Sequence, residues 1–474
     1  MKSKKILFIL LFPLTVLAQK QLTEKEIKED YSMVKEVLKK AHPSLYEYTS
    51  KSKWDSLFID FEERKLKTLF TDSELFKSIA ELTDHVRDGH LIVMRPQLDS
   101  IPKIFPLWVK IINGTFYTDT DDFDIPVGSE IISIDGIVGD ELLKKLFKYA
   151  PSDGYNTTKK ERQVEQEFGI LHFYEFGAKS TYKVVYRTPS FELNSKIIDS
   201  QSFDSIGKRF WKRNSHFGVK TFSKKEPFLY FIDSLNTSVL TINTFGLEQE
   251  IFQSKVKDLF RVIKRKRIKH LIIDLRRNEG GYPENSNFLF SFIAKESFIQ
   301  PKSQHVITDK LPLQANSKEV INDYTYEAFF AKFFKNGLKK EKEWVIHAPK
   351  SDASMSSKRD GFKGQVFVLV GGKTFSAGST FALNCKNQGI LLIGEETGGG
   401  YYSHTGGFPI IYELPNSKIK ILISLVKMKK NTNDQTISKG SGVLPDVEIK
   451  LTVEDLIRSR DSQLAFILKQ INKE

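Results

Sequence analysis

One stretch of sequence decides the fold: Val366-Phe367-Val368-Leu369-Val370-Gly371-Gly372-Lys373-Thr374-Phe375-Ser376-Ala377-Gly378-Ser379. Its first five residues are apolar and mostly β-branched, and glycines follow them, which predicts a strand buried on both faces. The residues from Thr380 to Cys385 predict the start of a helix. Ser376 therefore stands at a sharp strand-to-helix turn, where backbone amides and the positive end of a helix dipole can stabilise an oxyanion. A nucleophile suits that place, and so does a helix N-cap.

The beginning of the chain predicts export. Three lysines lie among the first five residues, an apolar run follows from Ile6 to Leu17, and Val16-Leu17-Ala18 forms a small-residue cleavage site. We therefore expect a signal peptide over residues 1–18 and a mature chain that starts near Gln19, in the periplasm or outside the cell. No later segment of the sequence is long and apolar enough to cross a bilayer. The single cysteine, Cys385, is interpreted as a small buried apolar side chain.

Composition sets the size of the core and the class of partner. With 474 residues, 40% of them hydrophobic and 12% aromatic, the chain can bury a large core and should form two or three domains. The formal net charge of +13 drops to +10 when the three lysines of the signal peptide are removed. Much of the excess lies in two basic runs, Lys264 to Arg267 and Lys427 to Lys430, which are typical of solvated surfaces. No zinc-ligand spacing or nucleic-acid motif accompanies them, so we expect no nucleic-acid partner.

Residues 19–97 are predicted to form a helical N-terminal domain. Apolar residues recur at helical spacing from Thr23 to Thr83, with an interruption at His42-Pro43, because the residue before a proline avoids helical backbone angles. The helices end at Asp88-Gly89-His90, directly before a short apolar strand. This turn would hold His90 at the mouth of the strand, where an imidazole can act as a general base. A histidine that only donates one hydrogen bond in the turn is the alternative.

Residues 98–190 change to short strands and turns. The run from Ile125 to Gly136 alternates apolar and polar residues into an Asp-Gly turn, which predicts a hairpin, and a helix is expected from Asp140 to Leu146. This order resembles the middle of a PDZ domain, which binds an extended peptide at its sheet edge. The segment from Pro151 to Phe176 is an insertion in that pattern. A small β domain that acts only as a spacer is the alternative, and residues 191–227 are interpreted as a linker or cap.

From residue 228 to residue 474, strands and helices alternate as in an α/β core. A strand is predicted from Val239 to Ile242, a helix from Gln249 to Arg265 and a buried strand from His270 to Leu275. The last of these runs into Arg276-Arg277-Asn278-Glu279-Gly280-Gly281, whose glycines permit the backbone angles that point amides into a cleft. A purely structural turn is the alternative. A phosphate-binding loop is disfavoured, because the lysine and hydroxyl of a P-loop are missing.

Three distant segments together resemble the carboxy-terminal processing (tail-specific) serine peptidase family. They are Asp88-Gly89-His90, the stretch from Ile273 to Gly281, and Thr374 to Gly378 followed by Ile393 to Gly400. The ending Gly442-Val443-Leu444-Pro445-Asp446 resembles the closing strand of that family. The order of helical domain, PDZ-like domain and α/β core agrees over nearly the whole mature chain. The resemblance implies a crotonase-like α/β peptidase core and no metal or organic cofactor.

By that resemblance, Ser376 is the nucleophile. Gly280 or Gly281 and the amide of Ala377 would line the oxyanion hole, which contributes about 3 kcal/mol per donor in serine enzymes. Many members of the family pair the serine with a lysine, but no lysine lies from residue 387 to residue 417. The tricorn-like branch instead uses a histidine placed before the PDZ-like domain. His90 fills that place, so the chain is closer to the tricorn-like branch than to the Ser-Lys branch.

We therefore predict His90 as the base that takes the proton of Ser376, with His404 as the reserve. A third group should orient the imidazole and stabilise its charged form. Lys439 stands where the tricorn-like branch has an acidic residue, so the identity of this group stays open. The candidates are Asp84, Asp88, Glu395 and Glu396. Asp274 and Arg276 are interpreted as holding the strand end and its loop together.

Two functions remain open from the sequence alone. The favoured one is an exported serine endopeptidase that cleaves unfolded or terminally exposed polypeptides, with its PDZ-like domain presenting the substrate. The alternative is a non-catalytic relative that keeps the cleft and binds a hydrophobic ligand or a peptide. The separation of His90 and Ser376 in the fold distinguishes the two, because only the enzyme needs a base beside the hydroxyl. The sequence does not specify an oligomeric state.

Overall fold

The computed structural model describes residues 20–94, 102–214, 224–313, 316–319, 325–341, 343–348 and 356–473. The predicted signal peptide, residues 1–18, lies outside these ranges. The described residues form a mixed α/β fold with helices and several sheets. Within them, no helix has both the length and the apolar character that crossing a membrane requires.

The N-terminal part contains the predicted helices. They are α1 (Glu24–Ala41), α2 (Lys51–Asp60) and α3 (Asp72–Asp84), and strand β1 (Ile92–Met94) follows them. Helix α1 begins at a capping box, in which the side chains of Thr23 and Glu26 accept each other's backbone N–H. It ends at Ala41 because Pro43 follows, which leaves His42 with extended backbone angles (φ −80°, ψ 114°).

The middle part is built around one antiparallel sheet. Its elements are β2 (Val109–Ile112), β3 (Thr115–Thr118), β4 (Glu130–Ile134), β5 (Ile137–Val138), α4 (Gly139–Phe147), α5 (Thr158–Phe176), β6 (Thr181–Arg187), β7 (Leu193–Asp199) and α6 (Phe203–Asn214). The strand order is β2-β3-β4-β6-β7, with β5 paired to β4. The predicted hairpin at Asp135-Gly136 is present, and the insertion that starts at Pro151 contains the long helix α5.

The remaining elements form the C-terminal part. They are β8 (Phe228–Ile232), β9 (Thr237–Thr241), α7 (Gln249–Arg265), β10 (His270–Asp274), α8 (Pro283–Ser291), β11 (Ser303–Val306), β12 (Ser317–Glu319), α9 (Tyr326–Asn336), β13 (Leu338–Lys340), β14 (Glu343–His347), β15 (Gln365–Val370), α10 (Ala377–Asn387), β16 (Leu391–Gly394), β17 (Ser403–Thr405), β18 (Pro409–Glu413), β19 (Lys420–Ser424), β20 (Lys427–Lys429), β21 (Val447–Glu448), α11 (Val453–Arg458) and α12 (Ser462–Ile471). The predicted strands around residues 240, 272 and 368 and the helix over residues 249–265 are all present.

The central sheet of this part has the order β21-β16-β15-β10-β9-β8. Neighbouring strands from β21 to β9 run parallel, and only β8 is antiparallel. Apolar side chains of α7, α8 and α10 pack on one face and those of α12 on the other, so β10 and β15 are buried on both faces, as the sequence predicts. The loops that follow β10, β15 and β16 leave the same edge of the sheet, the edge where ligands bind in open α/β sheets.

Two other small sheets complete the fold. One has the order β1-β19-β18-β12 and the other β13-β14-β11-β20-β17. The pairing of β1 with β19 ties the N-terminal part to the C-terminal part, and buried residues of α1 to α3 share a hydrophobic core with β18 and β19. The antiparallel sheet of the middle part extends through β7 into the segment interpreted as a linker or cap. The boundaries at residues 97, 190 and 227 and the PDZ-like assignment stay predictions.

Candidate active site

Ser376 lies at the turn between β15 and α10 with backbone angles of φ 52° and ψ −121°. A positive φ is uncommon for a residue other than glycine, and such outliers collect at functional sites. The residue occupies the N-cap position of α10, but its hydroxyl makes no capping hydrogen bond. The interpretation of Ser376 as a simple helix cap is therefore wrong: its side chain contacts a group from a distant part of the chain.

That group is His90. The Nε2 atom of His90 lies 3.1 Å from Ser376 Oγ, although the two residues are 286 positions apart in the sequence. The Asp88-Gly89-His90 turn holds the imidazole, because the backbone N–H of His90 donates to Asp88 Oδ1 at 2.8 Å. The ring also packs against the ring of Phe375, with 4.5 Å between the centroids. The two predicted catalytic side chains therefore meet within hydrogen-bond reach.

The surroundings of His90 keep its ring neutral at physiological pH. Burial lowers the pKa of His90 to about 4. The negative charge of Asp88 opposes this shift, while the ammonium groups of Lys159 and Lys430 add to it. A neutral imidazole beside a hydroxyl can accept its proton, which is the property a general base needs.

Asp88 is the carboxylate beside His90. Its Oδ1 lies 3.9 Å from His90 Nδ1, which is too long for a hydrogen bond. Thr405 Oγ1 lies 2.7 Å and 2.6 Å from the two oxygens of Asp88, and His42 Nε2 lies 2.8 Å from Oδ2. Burial by itself would raise the pKa of Asp88, but the contacts with His42, His90 and Thr405 outweigh it and hold the pKa well below its usual range. Asp88 is therefore a buried anion.

A second buried carboxylate, Asp153, ties two loops of the site together. It accepts the N–H of Gly89 at 2.8 Å on one oxygen and the N–H of Gly400 at 2.9 Å on the other. Burial raises the pKa of Asp153 to about 7, and the negative charge of Asp88 adds to the rise. Asp153 thus joins the turn that carries His90 to the glycine-rich loop after β16.

The basic run from Lys427 to Lys430 is only partly a solvated surface. Lys430 is buried, and its Nζ donates to Ser379 Oγ at 3.1 Å, one turn along α10 from Ser376. Burial lowers the pKa of Lys430 to about 8, against the opposing charge of Asp153. The surface interpretation of this lysine is therefore wrong, because tertiary packing buries its ammonium beside Ser379 in α10.

The glycine loop after β10 contacts Ser376 directly. A Cβ atom added to Gly280 would fall 2.6 Å from the Cβ of Ser376 and 3.1 Å from the amide nitrogen of Ala377. The N–H of Gly280 donates to Asn278 Oδ1 at 2.9 Å, so it is already engaged. Among the described residues, no hydrogen bond engages the amides of Gly281 and Ala377. These two amides are therefore free to donate to another group.

The other predicted site residues have different surroundings. Glu396 accepts the N–H of Gly442 at 2.6 Å, and Glu395 lies 3.9 Å from Nε of Arg162, so both bind structural partners. The ring of His404 stacks on that of His90 with 5.5 Å between centroids. Burial lowers the pKa of His404 well below its ordinary value, and the charges of Lys430 and His90 add to the shift. His404 is therefore a neutral neighbour of His90.

Asp88, His90 and Asp153 also form the one candidate metal-ligand cluster in the described part of the chain, with ligand atoms within 4.8 Å of one another. Both carboxylates, however, already accept hydrogen bonds or close contacts from protein groups. The arrangement is explained without an ion, so we propose no metal site here.

Sequence reasoning missed four groups of this site. His42 entered it only as a helix interruption, Lys430 as part of a surface run, and Asp153 and Thr405 not at all. No local pattern marks His42, Asp153 or Thr405 as site residues, and the basic run around Lys430 is typical of a solvated surface. Three-dimensional proximity to His90 and Ser376 is the only signal that identifies them.

The chain is similar to known proteins in sequence and in fold. The family model described as peptidase family S41 matches residues 236–449. No curated protein matches the chain. The structure of mature CPAF has a TM-score of 0.66 and 16% identity, over 95% of this chain and 99% of that chain. CPAF complexed with lactacystin has a TM-score of 0.65 and 15% identity, over 95% of this chain and 100% of that chain.

At these identities, the likeness to CPAF establishes a shared fold over almost the entire chain. The photosystem II D1 C-terminal processing protease matches with a TM-score of 0.42 and 13% identity, over 92% of this chain and 97% of that chain. The predicted family is confirmed by the family model, while the predicted tricorn-like branch stays a prediction. The chain carries a peptidase family S41 domain and is a peptidase hydrolase of the serine type.

Proposed function

We propose that the protein is an exported serine endopeptidase in which Ser376 is the nucleophile and His90 the general base. The observation that carries the proposal is the distance of 3.1 Å between Ser376 Oγ and His90 Nε2. This is the reach expected of a nucleophile and its base. The same contact disfavours the alternative of a non-catalytic binding protein, which has no need of a base beside the hydroxyl.

In the acylation step, His90 Nε2 takes the hydroxyl proton while Ser376 Oγ forms a bond to the carbonyl carbon of the substrate. The lowered pKa of His90 leaves Nε2 free to accept that proton at neutral pH. The protonated ring then gives the proton to the leaving amine as the C–N bond breaks. In deacylation, Nε2 takes a proton from water, the water oxygen attacks the acyl carbon, and the proton returns to Ser376 Oγ as the ester bond breaks.

The negative oxygen of each tetrahedral intermediate requires hydrogen-bond donors. The amide of Ala377, at the N-terminus of α10, is one, and it also adds the positive end of the helix dipole. The amide of Gly281 is the second donor in our proposal. Gly280 contributes by its lack of a side chain, which allows the loop to approach Ser376.

We infer that the substrates are polypeptides that are unfolded or expose a terminus, presented by the sheet of β2 to β7. Export is part of the proposal because of the basic start, the apolar run and the Val16-Leu17-Ala18 site of the sequence. Mass spectrometry of the protein from a cell envelope or culture fluid tests this part. A mature N-terminus at Gln19 supports export, and an intact Met1 in the cytoplasm contradicts it.

A fluorophosphonate probe tests the catalytic part, because it forms a covalent bond only with an activated serine. We expect labelling of the wild type and none of Ser376→Ala. Ser379→Ala is the matched control: Ser379 lies in the same helix, and its Oγ is bonded by Lys430 and donates to the Ser376 carbonyl. Labelling that persists in Ser376→Ala would refute the assignment of the nucleophile.

A further inference from the structure

The Nδ1 atom of His90 is the part of the proposed dyad without a direct partner. It is buried and, among the described residues, makes no hydrogen bond. A base that becomes an imidazolium needs its ring held with the proton on Nδ1, and it gains from a negative charge on that side. Asp88 Oδ1, 3.9 Å away, is the carboxylate oxygen on that side. Its effect depends on what keeps Asp88 ionised and in place.

Asp88 is almost fully buried, so protein groups must replace water around its charge. The backbone N–H of His90 donates a hydrogen bond to Asp88 Oδ1, and the hydroxyl of Thr405 donates to both oxygens of Asp88. The remaining group is His42, whose Nε2 lies 2.8 Å from Oδ2. The side chain of His42 is itself fully buried, so this contact is shielded from solvent.

The proton of His42 can be assigned from its other nitrogen. The backbone N–H of Ser44 donates to His42 Nδ1 at 3.2 Å, so Nδ1 is an acceptor. The proton of the neutral ring is then on Nε2, which faces Asp88. Asp88 Oδ2 is within reach at 2.8 Å, but the N–H is directed too far from it to form a hydrogen bond, and no other acceptor among the described residues bonds this N–H. Asp88 is therefore the carboxylate in close contact with this N–H.

We infer that His42 is a positioning residue, which keeps Asp88 in place and ionised, so that the negative charge of Asp88 favours a proton on His90 Nδ1 and stabilises the protonated ring. The inference rests on the proposed function of Ser376 and His90. It describes a chain of four side chains, Ser376, His90, Asp88 and His42, in which the N–H of the last member lies beside the buried carboxylate in the place that water would take around an exposed one. No substrate contact is assigned to His42.

Other charged groups face the same place. The ammonium groups of Lys159 and Lys430 disfavour a positive charge on His90, and Asp88 is the group that favours it. The negative charge of Asp88 adds to the rise in the pKa of Asp153, the neighbouring carboxylate, because two like charges close together are unfavourable. The neutral ring of His404 stacks on the ring of His90 and adds no compensating charge. A donor to Asp88 is therefore needed to keep its carboxylate ionised beside the base.

The test compares turnover of a fluorescent unfolded polypeptide by His42→Phe, His42→Gln, Asp88→Asn and the double variant His42→Phe/Asp88→Asn. We expect His42→Phe to lower kcat at least about tenfold with KM changed less than about twofold, because the contact acts on the protonated base. His42→Gln keeps an N–H donor and should retain kcat within about threefold. In the Asp88→Asn background, His42→Phe should change kcat less than about twofold, since the two residues act as one unit.

His172→Phe is the matched control, because His172 is an equally buried histidine that packs among Phe105 and Tyr182 instead of carboxylates. Its kcat should stay within about twofold of the wild type, as expected for a buried ring that does not belong to the chain of four side chains. Thermal unfolding of each variant reports on the fold separately. Unchanged kcat in His42→Phe, or an equal loss with and without the Asp88 carboxylate, would overturn the inference.

A second readout does not depend on turnover. Nitrogen-15 NMR of the imidazoles, in Ser376→Ala, should show a neutral His42 protonated on Nε2 and a change in that signal in Asp88→Asn. A His42 that carries its proton on Nδ1 would overturn the inference whatever the activity. Absence of Ser376-dependent labelling in the wild type, with the expected His42 tautomer, would instead refute the proposed function and leave the His42 to Asp88 contact standing.

Discussion

The backbone of Gly280 packs directly against the side chain of Ser376: a Cβ atom on Gly280 would lie 2.6 Å from the Cβ of Ser376. Gly280 also has a φ of 104°, a conformation that L side chains rarely adopt. Both the position of the nucleophile and the amides next to it therefore depend on a glycine here. The glycine loop after β10 therefore has a steric role in this chain.

Gly280→Ala should therefore lower kcat by about a hundredfold, because a shift of Ser376 by about 1 Å is enough for such a loss. Steady-state kinetics on an unfolded polypeptide measure this. Gly207→Ala is the control, since Gly207 has no atom within 4 Å of an added Cβ. Activity of Gly280→Ala within about twofold of the wild type would contradict the proposed geometry.

His90→Ala should lower kcat about a hundredfold or more while the protein keeps its far-UV circular dichroism, because the hydroxyl loses its proton acceptor. The comparison with His404→Ala decides between the base and its reserve. His404 lies against His90 without a bond to Ser376, so we expect a smaller loss from its removal. If the two variants lose activity equally, or only His404→Ala does, His90 is not the base.

The pH dependence of kcat/KM should reflect the lowered pKa of His90. The base works only when neutral, so activity should fall as the pH drops through about 4, well below the usual range of histidine. Lys159→Met removes a positive charge and raises the pKa of His90, so the acidic limb of the pH profile, where activity falls, should move to higher pH. Asp88→Asn removes a negative charge and moves it to lower pH. A limb near pH 6.5 that neither variant shifts would contradict the assignment.

Arg276 should matter for stability and not for chemistry. It forms a bidentate pair with Asp461, at 2.9 Å and 2.8 Å, and also bonds Asp274, which fastens α12 to the end of β10. Arg276→Leu leaves two carboxylates without their partner, so the free energy of unfolding should fall by about 2–4 kcal/mol in urea titrations. The kcat of the folded variant should stay within about threefold.

Arg261→Leu provides the exposed counterpart, because the pair of Arg261 with Asp258 lies in solvent. Its removal should change the free energy of unfolding by less than about 0.5 kcal/mol. A large loss of kcat in folded Arg276→Leu would show that the Asp274 to Arg276 pair has a catalytic role after all.

Local elements of this protein were predictable because their causes are local. Helix α7 has the predicted bounds, and β15, the turn at Ser376 and α10 follow from an apolar β-branched run, glycines and the helical pattern after them. The order of the three motifs was sufficient to predict the family. The surface interpretation of Lys430 failed, since a run of lysines is usually solvated and nothing near it in sequence indicates burial.

The sequence by itself determined which residues carry chemistry: a serine at a strand-to-helix turn, a histidine after a glycine turn and a glycine-rich loop after a buried strand. Only the tertiary structure decided their partners. The pairing of β1 with β19 brings His90 across 286 positions to Ser376, and packing of α1 brings His42 to Asp88. The physical reason is that hydrophobic burial, which drives this packing, is non-directional and acts between distant segments. Which polar groups contact each other in the interior is therefore decided only when all segments of the chain pack into the folded core.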